Sequence, residues 1–170
     1  MTKTLKLLLL AMCLAPAGGF AAHAADGVFL NTLEGNWTGK GTVRVRTNSS
    51  PINVNCKFAT DASDTSLSLD GNCTGLLVIN RAIGADLKAN GTEYSGSYTG
   101  AGTGTAGLNG SRSGNSINLG ISWAKEVNGD RVAQMTVEKV GDDGLRLTTV
   151  DEDPKTGEKV VTSTISLSRI

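Results

Sequence analysis

From Leu33 to Val45 the chain alternates. Leu33, Gly35, Trp37, Gly39, Gly41, Val43 and Val45 fall on one face, and Glu34, Asn36, Thr38, Lys40, Thr42 and Arg44 on the other. A period of two predicts a strand with one buried side. Its glycines let the strand coil sharply and let neighbours approach closely. The lead-in, Asp26 to Leu33, predicts a single helical turn, with Phe29 and Leu30 placed to plug one end of a barrel.

The same period continues. Ile52, Val54, Cys56 and Phe58 alternate with polar residues, and so do Leu67, Leu69, Gly71 and Cys73. Placing Cys56 opposite Cys73 sets Phe58 against the small Gly71 and Thr60 against Leu69, so one register serves both the crosslink and the burial pattern. Leu77, Ile79, Arg81, Ile83, Ala85 and Leu87 predict the next strand, which Asn90-Gly91 ends with a tight-hairpin signal. Tyr94, Gly96 and Tyr98 follow. A Gly/Thr stretch from Gly100 to Gly107 leads to Leu108, and Asn109 to Asn115 predicts a turn. Further inward faces are Ile117, Leu119, Ile121 and Trp123; Ala133, Met135 and Val137; Leu145, Leu147 and Thr149; and Val161, Ser163, Ile165 and Leu167. Turn residues at Asn128–Asp130, Gly141–Gly144 and Asp151–Gly157 separate them. The expectation is an all-β fold of eight to ten short antiparallel strands, as a sandwich or a closed barrel. Consecutive hairpins and the glycine-rich first strand favour an up-and-down barrel, whose closure removes edges.

The N-terminus changes the picture. Lys3 and Lys6, the apolar run Leu7–Leu14, and Ala22-His23-Ala24 predict a signal peptide over residues 1–24, leaving one domain over 25–170. The run is too short for a membrane-spanning helix. Met12 before Cys13 argues against lipidation. The expected location is the periplasm or the outside of the cell. Cleavage removes the only histidine, His23, and Cys13. Sixteen Lys and Arg, less Lys3 and Lys6, then face sixteen Asp and Glu, which gives no electrostatic footprint for nucleic acid or anionic membrane. The remaining pair, Cys56 and Cys73, predicts a disulfide. An outer-membrane barrel would need lipid-facing apolar bands and aromatic girdles, whereas the outward positions are polar and aromatics make up 4%.

Candidate chemistry narrows accordingly. Without histidine or a free thiol, Ser-His and Cys-His nucleophiles and histidine-ligated metals fall away. The acidic residues sit in turns or on outward positions and select no catalytic pair. Neither an enzyme, a metal site nor a cofactor is expected. Gly102 to Gly107 spells a dinucleotide motif, but no helix is predicted after it. Asp151-Glu152-Asp153 lacks the glycine of a calcium loop and places Lys155 among the ligands. Arg81 falls on the inward face of its strand. It is either a polar anchor inside a cavity, turned outward by a bulge, or a rim residue snorkelling to water. Trp37, Arg81, Tyr94, Tyr98 and Trp123 are the candidate ligand-binding residues, with core filling as the alternative.

Gly35-x-Trp37-x-Gly39-x-Gly41, the two cysteines, Tyr94-Ser95-Gly96-Ser97-Tyr98 and the closing Ile165-Ser166-Leu167-Ser168-Arg169 resemble a family of small exported alphaproteobacterial proteins. That family carries no activity to transfer. Gly35-Asn36-Trp37 is also similar to the opening of the calycin barrels, lipocalins and avidins. The lipocalin resemblance implies that Arg169 stacks on Trp37. The avidin tryptophan walls are missing, since only Trp37 and Trp123 exist. The expected function is non-enzymatic: binding a small apolar or amphipathic ligand, or supporting the envelope. The alternative is a protein-interaction module such as a lysozyme or protease inhibitor. Oligomeric state is left open.

Overall fold

The computed structural model describes residues 20–76, 79–100 and 102–170, with side chains from Asp26 onward. The expected leader's basic start and apolar run, and Leu77, lie outside the described residues.

One helix, α1 (Phe20–Asn31), precedes ten strands. These are β1 (Gly35–Val43), β2 (Ile52–Ser63), β3 (Ser66–Gly75), β4 (Ile79–Asn90), β5 (Glu93–Thr99), β6 (Ala106–Ser113), β7 (Ser116–Val127), β8 (Asp130–Val140), β9 (Gly144–Glu152) and β10 (Lys159–Arg169). Each strand pairs with its neighbours in sequence, and β1 pairs antiparallel with β10 to close the barrel.

The expected hairpin is present in its expected register. Cys56 faces Cys73, Phe58 faces Gly71 and Thr60 faces Leu69. The sulfurs of Cys56 and Cys73 lie 2.00 Å apart, bonded. The glycines of β1 are required by close approach: a Cβ at Gly39 would fall 1.9 Å from the Ser166 carbonyl oxygen, and one at Gly41 2.1 Å from that of Thr164. Strong coiling of this kind is what closes a barrel. Across the interior, Leu67, Leu87, Gly96, Leu108, Ile121 and Ala133 pair in succession and form one layer of the core.

Four expectations need correcting. Val161, expected on the inward face, is exposed, because a bulge between Val161 and Ser163 buries Thr162 in its place. The predicted turn at Asn109–Asn115 shrinks to residues 114–115, because β6 runs to Ser113. Asn, Gly and Ser have little strand propensity, but here ladders to β5 and β7 satisfy the backbone on both sides. The predicted loop from Asp151 also starts later, since β9 continues to Glu152. The single helical turn is in fact a twelve-residue helix that begins at Phe20.

Up-and-down order puts α1 and the short turns at 64–65, 91–92, 114–115 and 141–143 at one end, called the helix end. The connections at 44–51, 76–78, 100–105, 128–129 and 153–158 share the other, the loop end. Eight strands make a barrel that side chains just fill, and diameter grows with strand number.

Candidate functional site

The helix end is closed by well-bonded parts. Leu30 and Leu33 are fully buried and Phe29 nearly so, as the sequence led one to expect of a plug. Trp37, from β1, donates its indole N–H to the Leu33 carbonyl at 3.2 Å and to Thr60 Oγ1 at 2.9 Å. The Arg169 guanidinium stacks 4.3 Å from the centre of the Trp37 ring, as the lipocalin resemblance implied. It also donates to the carbonyls of Thr32, at 2.7 Å, and Glu34, which ties down the turn after α1. Asp26 is buried. Its Oδ1 accepts from Arg112 Nε and from the Tyr94 hydroxyl at 3.4 Å. Burial, and then the Asp26 charge, push the Tyr94 hydroxyl up to about 12. Arg112 in turn lies over Phe29, 5.0 Å from the ring centre.

The loop end is built differently. Tyr98, near the end of β5, and Trp123, in the upper part of β7, meet edge to face with ring centres 6.0 Å apart. Trp123 is 5% exposed, yet its indole N–H is buried with no hydrogen-bond partner. A buried donor without an acceptor costs about 1–3 kcal/mol, so such a group calls for an explanation. Tyr98 is itself only half-buried, as are the inward-facing Ile83, Met135, Leu147, Thr149 and Ser163 elsewhere on the barrel wall. These side chains face the interior and still touch solvent-accessible space.

Described residues of the connection from β5 to β6 lie against side chains at this end. Gly102 has φ +77°, and a Cβ there would come 2.6 Å from an Arg81 guanidinium nitrogen. A Cβ on Gly100 would come 2.6 Å from the Tyr98 hydroxyl. Glycine is what lets this loop lie against both side chains. Thr103 Oγ1 is buried there and unpartnered. The segment that spells a dinucleotide motif is thus a loop followed by a strand, not by a helix.

The β3–β4 ladder runs unbroken from Ser66–Lys88 to Gly75–Ile79, with Arg81 opposite Cys73. No bulge turns Arg81 outward, so it shares the inward face of Cys73, but at the rim, where it is exposed. Among the described residues its guanidinium makes no ion pair and no hydrogen bond. Burial raises the Tyr98 hydroxyl above its ordinary value, and the nearby Arg81 charge works against that shift.

The far side of the mouth is clipped shut. Asn128 accepts from the Thr47 backbone N–H at 3.2 Å and donates to Asp151 Oδ2 at 2.7 Å, while the Thr47 hydroxyl donates to Asp153 Oδ2 at 2.9 Å. Asn128 and Gly129 both have positive φ, as a tight hairpin turn requires. Burial raises the Asp151 carboxyl, opposed by the hydrogen bonds from Asn128 and the Glu152 backbone. Asp153 is held below its usual range, first by the Lys155 backbone N–H and then by the Thr47 hydroxyl. Among the described residues no group of three or more His, Cys, Asp or Glu is placed to hold a metal ion.

The five candidates from the sequence therefore divide. Arg81, Tyr98 and Trp123 come together at the loop end, and Trp37 and Tyr94 belong to the helix end, where their polar atoms are engaged. Sequence reading missed Thr103 and the Thr47–Asn128–Asp151 clip. The alternate glycines 100, 102 and 104 were the one signal of a closely packed loop. Two grooves, of about 360 and 500 Å³, also mark the outer wall, the first beside Gly120, Gln134 and Val150 and the second beside Lys57, Asp70 and Ile170. Neither is lined by Tyr98, Arg81 or Trp123.

No family model matches the chain, and no curated protein matches it. Among solved structures, that of Rv2717c from M. tuberculosis is similar with a TM-score of 0.64 and 14% identity, covering 93% of this chain and 99% of that one. A second, EF1p2_mFAP2b bound to DFHBI, reaches a TM-score of 0.48 at 11% identity over 88% of this chain and 98% of that one. At such identities the first likeness speaks to the barrel fold. No described helix is long and apolar enough to cross a membrane.

Proposed function

We propose that the protein is an exported, non-enzymatic barrel that takes up a small apolar or amphipathic molecule through its loop end. The observation that carries this reading is the unpartnered indole N–H of Trp123, buried against the half-buried Tyr98. A ligand acceptor would satisfy the donor, and an apolar body would cover Met135, Leu147 and Ile83. Pockets of this type are mostly apolar with a few placed polar groups.

Export is supported by the signal-peptide pattern of residues 1–24 and by the Cys56–Cys73 bond, since disulfides persist in oxidising compartments. The absence of catalysis is supported by the fate of the reactive residues. The one histidine lies in the leader, and the two cysteines of the barrel are bonded to each other. The resemblance of the first strand to exported alphaproteobacterial proteins agrees with this reading.

Native mass spectrometry of the protein purified from its own periplasm tests it. The expected result is a mass beginning at Ala25, part of it carrying a small non-covalent adduct that Trp123→Phe diminishes. A protein that starts at Met1, or a stoichiometric protein partner in place of the adduct, would overturn it.

A further inference from the structure

The loop end holds two buried polar groups without a partner, and an arginine at its rim. Trp123 Nε1 donates only, Thr103 Oγ1 is buried and unpartnered, and Arg81 carries a permanent charge with no partner among the described residues. Several other polar groups of the mouth are engaged. Arg131 Nε donates to the Trp123 carbonyl at 2.8 Å, and Arg44 donates to the Ser49 carbonyl. The in-facing carboxylate, Asp151, already accepts from Asn128 and from the Glu152 N–H at 2.9 Å. An unpaired arginine beside buried donors fits a group that only accepts. A carboxylate accepts at both oxygens and matches the fork of a guanidinium.

We infer that the ligand of this barrel is an amphipathic carboxylate, its anionic group held at the mouth by Arg81 and Thr103 and its apolar body lying inward along Tyr98, Trp123 and Met135. This rests on the proposed binding role and adds the charge and orientation of the ligand. Gly102 lies against Arg81, where any side chain would meet the guanidinium, and Thr103 is the next residue along the same loop.

Competition against a neutral reporter tests the idea. N-phenylnaphthylamine, which has no charge, reports occupancy of the interior by its fluorescence. It is displaced with decanoate and, separately, with decanol. Decanoate should displace it at about tenfold lower concentration than decanol, the size expected of one charge-assisted contact. Arg81→Met should abolish that preference, read as the ratio of decanoate to decanol potency within the variant itself. Arg81→Lys should retain part of it, and Thr103→Val should reduce it. Equal potency of decanoate and decanol in the unmodified protein, or a preference that survives Arg81→Met, would overturn the inference while leaving the binding role intact. Failure of the reporter to bind at all would remove both.

Discussion

The two indoles of the chain face the same interior and meet opposite circumstances. Trp37, at the helix end, has two acceptors for its N–H and a guanidinium on its face. Trp123, at the loop end, has an aromatic edge and no acceptor. At the helix end the indole donor is satisfied internally, although the buried Asp26 Oδ2 at that end has no partner. The loop end keeps its indole donor unsatisfied, which costs stability unless something else supplies the acceptor. Within one barrel, a share of the stability held at the helix end is given up at the mouth.

Substitutions should separate the two. Trp37→Ala should have the largest effect, a loss of about 3–5 kcal/mol in denaturant unfolding, because it empties a fully buried site and removes the ring on which Arg169 stacks. A loss below about 1 kcal/mol would mean the plug is not integral to the fold. Replacing Cys56 and Cys73 together by Ala should cost about 3 kcal/mol, the entropy of a loop spanning 17 residues. Trp123→Phe should leave stability within about 1 kcal/mol, and on the favourable side, since the ring is kept and the unsatisfied N–H goes. The same variant should bind N-phenylnaphthylamine more weakly. A large destabilisation would place Trp123 among the structural residues with Trp37.

The smallest effect is a titration. Both tyrosines of the chain hold their protons more tightly in the folded protein than in the unfolded one. Their contribution to stability is therefore complete below about pH 10 and falls as pH rises from there toward about 12, where Tyr94 ionises. Absorbance titration should show neither phenol ionising at its ordinary pH in the native protein. A native tyrosine that titrates like the unfolded one would contradict the burial described for it.

Much of this was legible in the sequence, and the limits are physical. The Cys56–Cys73 hairpin could be placed because a crosslink and a burial pattern must agree on one register. Arg169 on Trp37 followed from a resemblance, not from periodicity. Alternation gives the face of a side chain but not its height along the barrel, so Trp37 and Tyr94 were grouped with Tyr98 and Trp123 although they lie at the other end. The facing of Arg81 could not be fixed because a single bulge reverses it, and only the unbroken β3–β4 ladder settles the matter. Residues 109–113 read as a turn because Asn, Gly and Ser favour turns locally, whereas pairing on both sides decides their state. Thr103 sits in a loop, where no period exists to read.

The contrast between the two indoles is directly observable by NMR, because each indole N–H gives one cross-peak in a ¹⁵N-labelled sample and the chain has two tryptophans. Titration with N-phenylnaphthylamine should move the Trp123 peak and leave the Trp37 peak in place. A Trp37 peak that shifts while Trp123 stays, or two peaks unmoved at saturation, would contradict the account.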